Sequence, residues 1–453
     1  MQAISGYSKL SKEEKLEWLA RQVSHEPEAF IAEMKSYWHN DHSVQKLFDE
    51  FSENTLTNFY MPFGIVPNVL LNGELYAVPM VIEESSVVAA AAQSAKFWLT
   101  RGGFKAQVLG TKKIGQVHFL WEGDFLKLDV LFEDLKEKML DNTALITKNM
   151  RQRGGGILDI ELVNMTHIEP HYYQFRATFE TCDSMGANFI NTCLEEFART
   201  FKQWAAVQEG FTEKERNPLI IMSILSNYTP ECLVKAWVEC PVAELGSFEG
   251  MDAEMFAFKF QKAITIAKND VYRATTHNKG IFNGIDAVAL ATGNDFRAVE
   301  ACGHVYAARD GKYRSLTDCT VENGIFRFWI TVPLALGTVG GLTSLHPIVR
   351  RSFEILGYPN AQKLMQITAA IGLAQNFAAV KSLVTTGIQK GHMKMHLLNI
   401  LRHFGATEEE TKAAIEHFKH HVVSFSAVRD LLDKWREAAE IKRNHDTDST
   451  ATV

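Results

Sequence analysis

Three stretches decide the fold: Ile157-Leu-Asp-Ile-Glu-Leu-Val163, Tyr172–Thr178, and a stripe of Ile190, Leu194, Phe197, Phe201 and Trp204. The first two are rich in β-branched and aromatic residues and read as strands. The stripe recurs at i, i+4, i+7, i+11 and i+14, one face of an amphipathic helix. Upstream, Ala106-Gln-Val-Leu and Gln116-Val-His-Phe-Leu-Trp121 alternate like strands, and Leu128, Leu131, Leu135 and Met139 make a helical stripe. This alternation predicts an α+β fold: a ferredoxin-like small domain inserted into a large mixed α/β domain. Leu233–Val238 either supplies a last strand of the insert or returns the chain to the large domain. The expected division is 1–108 and 229–388 for the large domain, 109–228 for the small one, and 389–453 for a C-terminal helical flap with a disordered tail.

A chain of 453 residues has room for two or three domains, and 46% hydrophobic with 22% charged residues is ordinary globular composition. A net charge of −7 gives no electrostatic reason to expect nucleic acid or an anionic membrane as partner. Six scattered cysteines contain no Cys-x-x-Cys pair, so reduced thiols in a cytoplasmic protein are the simplest account. Met1-Gln-Ala-Ile-Ser-Gly-Tyr lacks the features of a signal peptide, and no apolar run approaches the ~20 residues that span a bilayer.

Ser11-Lys-Glu-Glu14 is a capping box, and Asn72-Gly73 between apolar runs is a hairpin signal. Val78–Ile82 reads as a short strand that runs into Glu83-Glu84-Ser85-Ser86 and then a small-residue helix from Val87. The two carboxylates there either cap that helix or do chemistry. Asp183-Ser-Met-Gly-Ala-Asn188 precedes the amphipathic helix, where a Gly admits a phosphate to the backbone amides; an ordinary N-cap fits as well. No Gly-x-Gly-x-x-Gly occurs, so a Rossmann site is unsupported. From His277 to Asp295 the chain sets Arg273, His277, Asn278, Lys279, Asn283, Asp286, Asn294 and Asp295 around an apolar segment. They form either a paired, partly desolvated site or the solvated ends of one element. Leu336-Gly-Thr-Val-Gly-Gly-Leu-Thr343 permits close backbone approach, and Leu364–Val384 is apolar nearly all round, hence a buried helix. His392 and His396 are spaced i, i+4, but the zinc-peptidase Glu is missing, so no metal is expected.

Taken together these motifs resemble the 3-hydroxy-3-methylglutaryl-coenzyme A reductase family, and more closely its soluble bacterial class II. Glu53-Asn54, Val78-Pro-Met with Glu84, Arg176 and Asp183-x-Met-Gly-x-Asn188, His277-Asn-Lys-Gly, Gly293-Asn-Asp295, Gly337-Thr-Val-Gly-Gly and Gly391-His-Met follow in the family's order. The resemblance implies reduction of the thioester to mevalonate in two hydride transfers from NADH or NADPH. It makes Lys279 the cation at the thioester oxygen, Asp295 the neighbour that keeps it charged, Glu84 a buried proton donor, and His392 the donor to the departing CoA thiolate. Ser86, Arg273 and Asn283 match positions that hold the hydroxymethylglutaryl part, and Asp183, Met185, Gly186 and Asn188 match the dinucleotide motif. Glu180 lies where an acidic residue would repel a 2′-phosphate, which leans the reading towards NADH. The resemblance also implies a homodimer or a multiple of it, with the site between subunits. Ser85, Ser184, Phe296 and Leu342 depart from the usual pattern and touch substrate geometry. Running the same chemistry oxidatively with NAD, or binding a CoA thioester without turnover, are the competing readings.

Overall fold

The computed structural model describes residues 2–248, 250–385, 387 and 397–449, with side chains through 439. Ser11 opens α1 (Lys12–Val23) with the expected reciprocal cap, its Oγ accepting from Glu14 N at 3.2 Å while Glu14 Oε2 accepts from Ser11 N at 2.7 Å. α2 (Pro27–Ser36) and α3 (His42–Asp49) follow, and Phe48 and Phe51 set their rings against His346. The N-terminal helices thus rest on the large unit. β1 (Phe63–Leu71) and β2 (Glu74–Val81) make the predicted hairpin, turned by Asn72 at φ 51° and Gly73 at φ 87°. Left-handed backbone at both positions is what an Asn-Gly turn accommodates. α4 (Val87–Leu99) and β3 (Lys105–Val108) complete this part.

β4 (Lys113–Leu120), α5 (Phe125–Val130), α6 (Phe132–Asn142), α7 (Ala144–Gln152), β5 (Gly156–Asn164), β6 (Tyr172–Glu180), α8 (Ala187–Ala206) and β7 (Leu219–Ser226) build the insert. Its antiparallel sheet runs β5-β6-β4-β7, the ferredoxin-type order. The stripe of α8 buries Leu194, Phe197 and Phe201 against Phe119 and Phe175 of the sheet, with Phe119 and Phe201 ring centres 4.7 Å apart. One expectation is corrected here: the 128–139 stripe is two helices that part at Leu131. Of the two readings open for 233–238, the structure takes the return to the large domain, and the last strand of the insert is β7. Leu219-Ile-Ile-Met-Ser-Ile-Leu-Ser226 is an edge strand, apolar but for Ser223 and Ser226, whose Leu219, Ile221 and Met222 stay exposed, so it shows no alternation to read.

β8 (Leu233–Pro241) returns the chain to the other sheet, ordered β3-β8-β10-β9, with β9 at Thr317–Glu322 and β10 at Ile325–Pro333. Around it stand α9 (Ala253–Asn269), α10 (Val271–Ala291), α11 (Phe296–Ala307), α12 (Leu342–Leu345), α13 (Pro347–Ile355) and α14 (Ala361–Val384). α14 is the buried helix foreseen from its composition, with Leu364, Ile367, Ile371 and Phe377 fully enclosed. It is also the one helix among the described residues long and apolar enough to cross a membrane, and 78% of that stretch is buried inside the fold. α15 (397–403), α16 (Glu408–His417) and α17 (Phe425–Ser449) close on a small core of Leu401, Phe418, Val428 and Leu432. Thr407 and Glu410 form the second capping box. The tail expected to be disordered from Asn444 is helical through Ser449.

The site is positioned by a buried polar seam. His277 Nε2 lies 2.6 Å from Thr317 Oγ1, which donates to Asn376 Oδ1 at 3.1 Å, while Asn376 Nδ2 donates to His277 O at 3.4 Å. Asn278, fully buried, donates to Arg314 O at 2.8 Å and accepts from Leu316 N at 3.0 Å. These bonds fix the rotation of α10 against α14 and β9. Asn278→Ala strands a buried carbonyl and a buried amide, each costing about 1–3 kcal/mol. The denaturation midpoint should fall by an equivalent of roughly 2 kcal/mol or more. A change within error in a urea titration would contradict this account of the seam.

Candidate active site

With His277 and Asn278 turned inward, Lys279 is carried to the outer face of α10. Its ammonium donates to Glu84 Oε2 at 2.7 Å, and Asn283 Nδ2, one turn further on, reaches the same oxygen at 3.4 Å. Glu84 sits in the bend between β2 and α4. Neither it nor Glu83 caps the helix: the N-cap is Ser86, in left-handed backbone at φ 76°, with no side-chain cap bond. The capping alternative for the Glu pair is thereby removed. The Lys279 and Glu84 side chains keep 62% and 38% of their surface, so the burial expected of Glu84 is not supplied by the single chain.

Asp295 is not set against Lys279 as expected. Among the described residues no ion pair joins them, and Glu84 is the partner of Lys279. Asp295 Oδ1 caps α11, accepting from Ala298 N at 3.1 Å, and Arg297 stands 3.6 Å away. An N-cap carboxylate is held by the first-turn amides and the helix dipole. Arg273 is half-buried near His277, with no carboxylate paired to it among the described residues; burial lowers its pKa. His277 is held neutral, its pKa lowered to about 3 by burial and by Arg273. His392 and His396 lie outside the described residues.

The second group of predicted residues meets the glycine loop. Asp183 O accepts from Thr338 N at 2.8 Å, and Asp183 Oδ1 accepts from Ala361 N at 2.8 Å, capping α14 from the other unit. A Cβ on Gly337 would come within 2.5 Å of Met185 N, so glycine is required where these strands of backbone cross. Asn294 grips the same glycine from both sides, donating to its O at 3.0 Å and accepting from its N at 2.8 Å. Gly186 starts α8 at φ 89°, with no side-chain cap. The first-turn amides, with Asn188 exposed beside them, are therefore a donor set that suits a diphosphate. Glu180 is already engaged, accepting from Cys182 N at 2.7 Å and from the Thr111 hydroxyl. Leu342, expected to bulk up the loop, begins α12 and is 41% exposed.

Comparison with known proteins decides the family. The hydroxymethylglutaryl-coenzyme A reductase family profile matches residues 11–397. The 3-hydroxy-3-methylglutaryl-coenzyme A reductase of Archaeoglobus fulgidus is 35% identical over 416 residues, 91% of this chain and 90% of that one. The chain belongs to the hydroxymethylglutaryl-coenzyme A reductase family. A probable reductase of Borreliella burgdorferi is 32% identical across 90% of this chain and 91% of its own. The solved reductase of Streptococcus pneumoniae superposes with a TM-score of 0.70 at 35% identity, covering 96% of this chain and all of that one. A second structure, of the class II enzyme from the same organism bound to NADPH in open conformations, gives 0.68 at 38% identity over 85% of this chain and 100% of its own. As a reductase of this family the chain is a nicotinamide-dependent oxidoreductase.

Asp286 belongs to the polar set read from the sequence around α10. Asp286, one turn beyond Asn283, has a buried Oδ1 without a hydrogen-bond partner. Burial and the neighbouring Glu300 of α11 hold its pKa well above the carboxylate range, so the pair keeps a proton that isolated carboxyls would have lost. Between the unfolded value of 3.8 and the raised folded one, the folded state binds more protons, so this contribution to stability is lost as pH rises. Asp286→Asn copies the protonated form. Its gain in unfolding free energy over the parent should grow from pH 4 to pH 8, and a gain independent of pH would refute the shared proton.

Proposed function

We propose that the chain reduces 3-hydroxy-3-methylglutaryl-coenzyme A to mevalonate and free CoA, and that Glu84, Lys279, Asp295 and His392 do the chemistry. The observation carrying this is the Lys279–Glu84 contact at 2.7 Å, with Asn283 on the same oxygen. It puts a fixed cation and an ionisable acid within reach of one oxygen atom. The Lys279 ammonium is assigned to the thioester oxygen, where it offsets the charge that grows as the carbonyl becomes tetrahedral. Glu84 is assigned to deliver a proton to the aldehyde oxygen in the second reduction. A neutral acid needs a drier site than the single chain gives Glu84, which is one reason to propose closure by a second subunit. Asp295 enters the set through the family pattern, and His392 is assigned to protonate the departing thiolate so that it cannot add back.

Arg273 is assigned to the substrate carboxylate, because a half-buried guanidinium without a carboxylate partner among the described residues is suited to one. Ser86 and Asn283 are assigned to the rest of the hydroxymethylglutaryl part, which carries one tertiary hydroxyl. The nicotinamide dinucleotide supplies both hydrides, and Asp183, Met185, Gly186 and Asn188 are assigned to hold it. The lean towards NADH rests on Glu180, both of whose oxygens already accept bonds within the chain, and the Streptococcus neighbour carries NADPH. The same neighbour favours reduction over the oxidative direction. We further propose a cytoplasmic homodimer with limits near 108, 228 and 388 between its parts.

Lys279→Ala should reduce cofactor oxidation with 3-hydroxy-3-methylglutaryl-CoA by at least ~100-fold, since a lost oxyanion partner costs about 3–4 kcal/mol. The circular dichroism spectrum should stay that of the parent. Turnover at the parental rate would defeat the mechanism. Measuring kcat/KM with NADH and NADPH in the same assay decides the cofactor.

A further inference from the structure

A pocket of about 360 Å³ lies between α4 and the last turns of α14, away from the Glu84–Lys279 pair. Lys381 lines it, half-buried, with its ammonium 5.3 Å from the ring centre of Phe97 and 5.0 Å from that of Phe248. Among the described residues no carboxylate pairs with it. The charged group that acts on it is a second cation, Arg101. The Arg101 guanidinium sits 4.0 Å from the Phe97 ring centre and donates to Phe97 O at 2.6 Å, Glu244 O at 2.7 Å and Thr100 Oγ1 at 3.4 Å. Two cations thus share one ring with no anion between them, in a chain whose net charge is −7.

Half-burying an ammonium without a counter-ion is unfavourable, and ring faces offset only part of the cost. A second observation points the same way. Ser94, 2% exposed on α4, lines the same pocket, and its Oγ has no hydrogen-bond partner. Ser247, Ser382 and Gln93 add further polar groups to the wall. One ammonium, several hydroxyls and no carboxylate match an oxyanion with many acceptor atoms. We propose that this pocket binds a phosphoryl group, with Lys381 as its counter-ion and Ser94 as a hydroxyl donor.

Two sources carry that chemistry: the phosphates of the CoA arm, or a free phosphate ion. Ser94 lies eight residues beyond Ser86 on α4, ~12 Å along the helix at 1.5 Å per residue. The first source therefore rests on the proposed function; the second does not.

The test is calorimetric titration of the full-length protein with inorganic diphosphate and, separately, with 3′-phosphoadenosine 5′-diphosphate, without turnover. At least one should bind the parent, about tenfold or more weaker to Lys381→Met, the worth of one charge-assisted hydrogen bond. Ser94→Ala should weaken it several-fold. Diphosphate alone assigns a free ion. The adenosine compound alone, with KM for the CoA substrate raised and kcat unchanged in Lys381→Met, assigns the CoA arm. If Lys381→Met does not fold, Lys381→Arg should keep the binding, and Ser94→Ala carries the test. The pocket is not an anion site if neither compound binds the parent, or if the variants bind as tightly as the parent. A Lys279→Ala protein that still binds the anion separates this result from any failure of the catalytic assignment.

Discussion

The rotation of α10 is the constraint on which the rest depends. His277, Asn278 and Lys279 are consecutive, so the first two can be buried only if the third points elsewhere. His277 meets Thr317 and, through it, Asn376 of α14; Asn278 grips the backbone at Arg314 and Leu316. A turn of the helix by one residue, about 100°, would swing His277 out of its pocket and carry the ammonium to where Asn278 is buried. The neutrality of His277 belongs to the same constraint. An imidazolium there would place a second buried cation beside Arg273, and burial keeps the ring uncharged instead.

A second constraint joins the two halves of the molecule. Gly337 lies against Met185, Asn294 holds Gly337 by both backbone groups, and Asp183 caps α14 across the same junction. Asn294 is next to Asp295, which caps α11, and α10 ends three residues earlier at Ala291. The segment that carries the lysine therefore also fixes the glycine loop against the start of α8. Substrate-side and nucleotide-side residues are kept in register by backbone contacts that tolerate little change of side chain.

Legibility in the sequence followed the range of the interactions. The capping box at Ser11, the Asn72-Gly73 turn, the stripe of α8 and the apolar surface of α14 are local patterns, and each forms where it was read. β7 was missed because an edge strand with exposed apolar residues has no alternation. The seam could be half read. His277 and Asn278 stood out, but Thr317 and Asn376 are 40 and 99 residues from His277 and carry no local mark. The order of seven modest motifs identified the family; it did not say that Asp295 would be occupied as an N-cap or that Glu84 would take the lysine.

That exchange of partners bears on how the pair is used. An ammonium at 2.7 Å occupies the Glu84 oxygen that the assigned proton transfer needs. A proton donor at the same position must be neutral. The two demands are reconciled if Lys279 turns from Glu84 to a substrate oxygen once one is present. Glu84 is then left without its cation partner and can face the substrate. The contact at 2.7 Å is on this view the resting arrangement of two groups that act by separating.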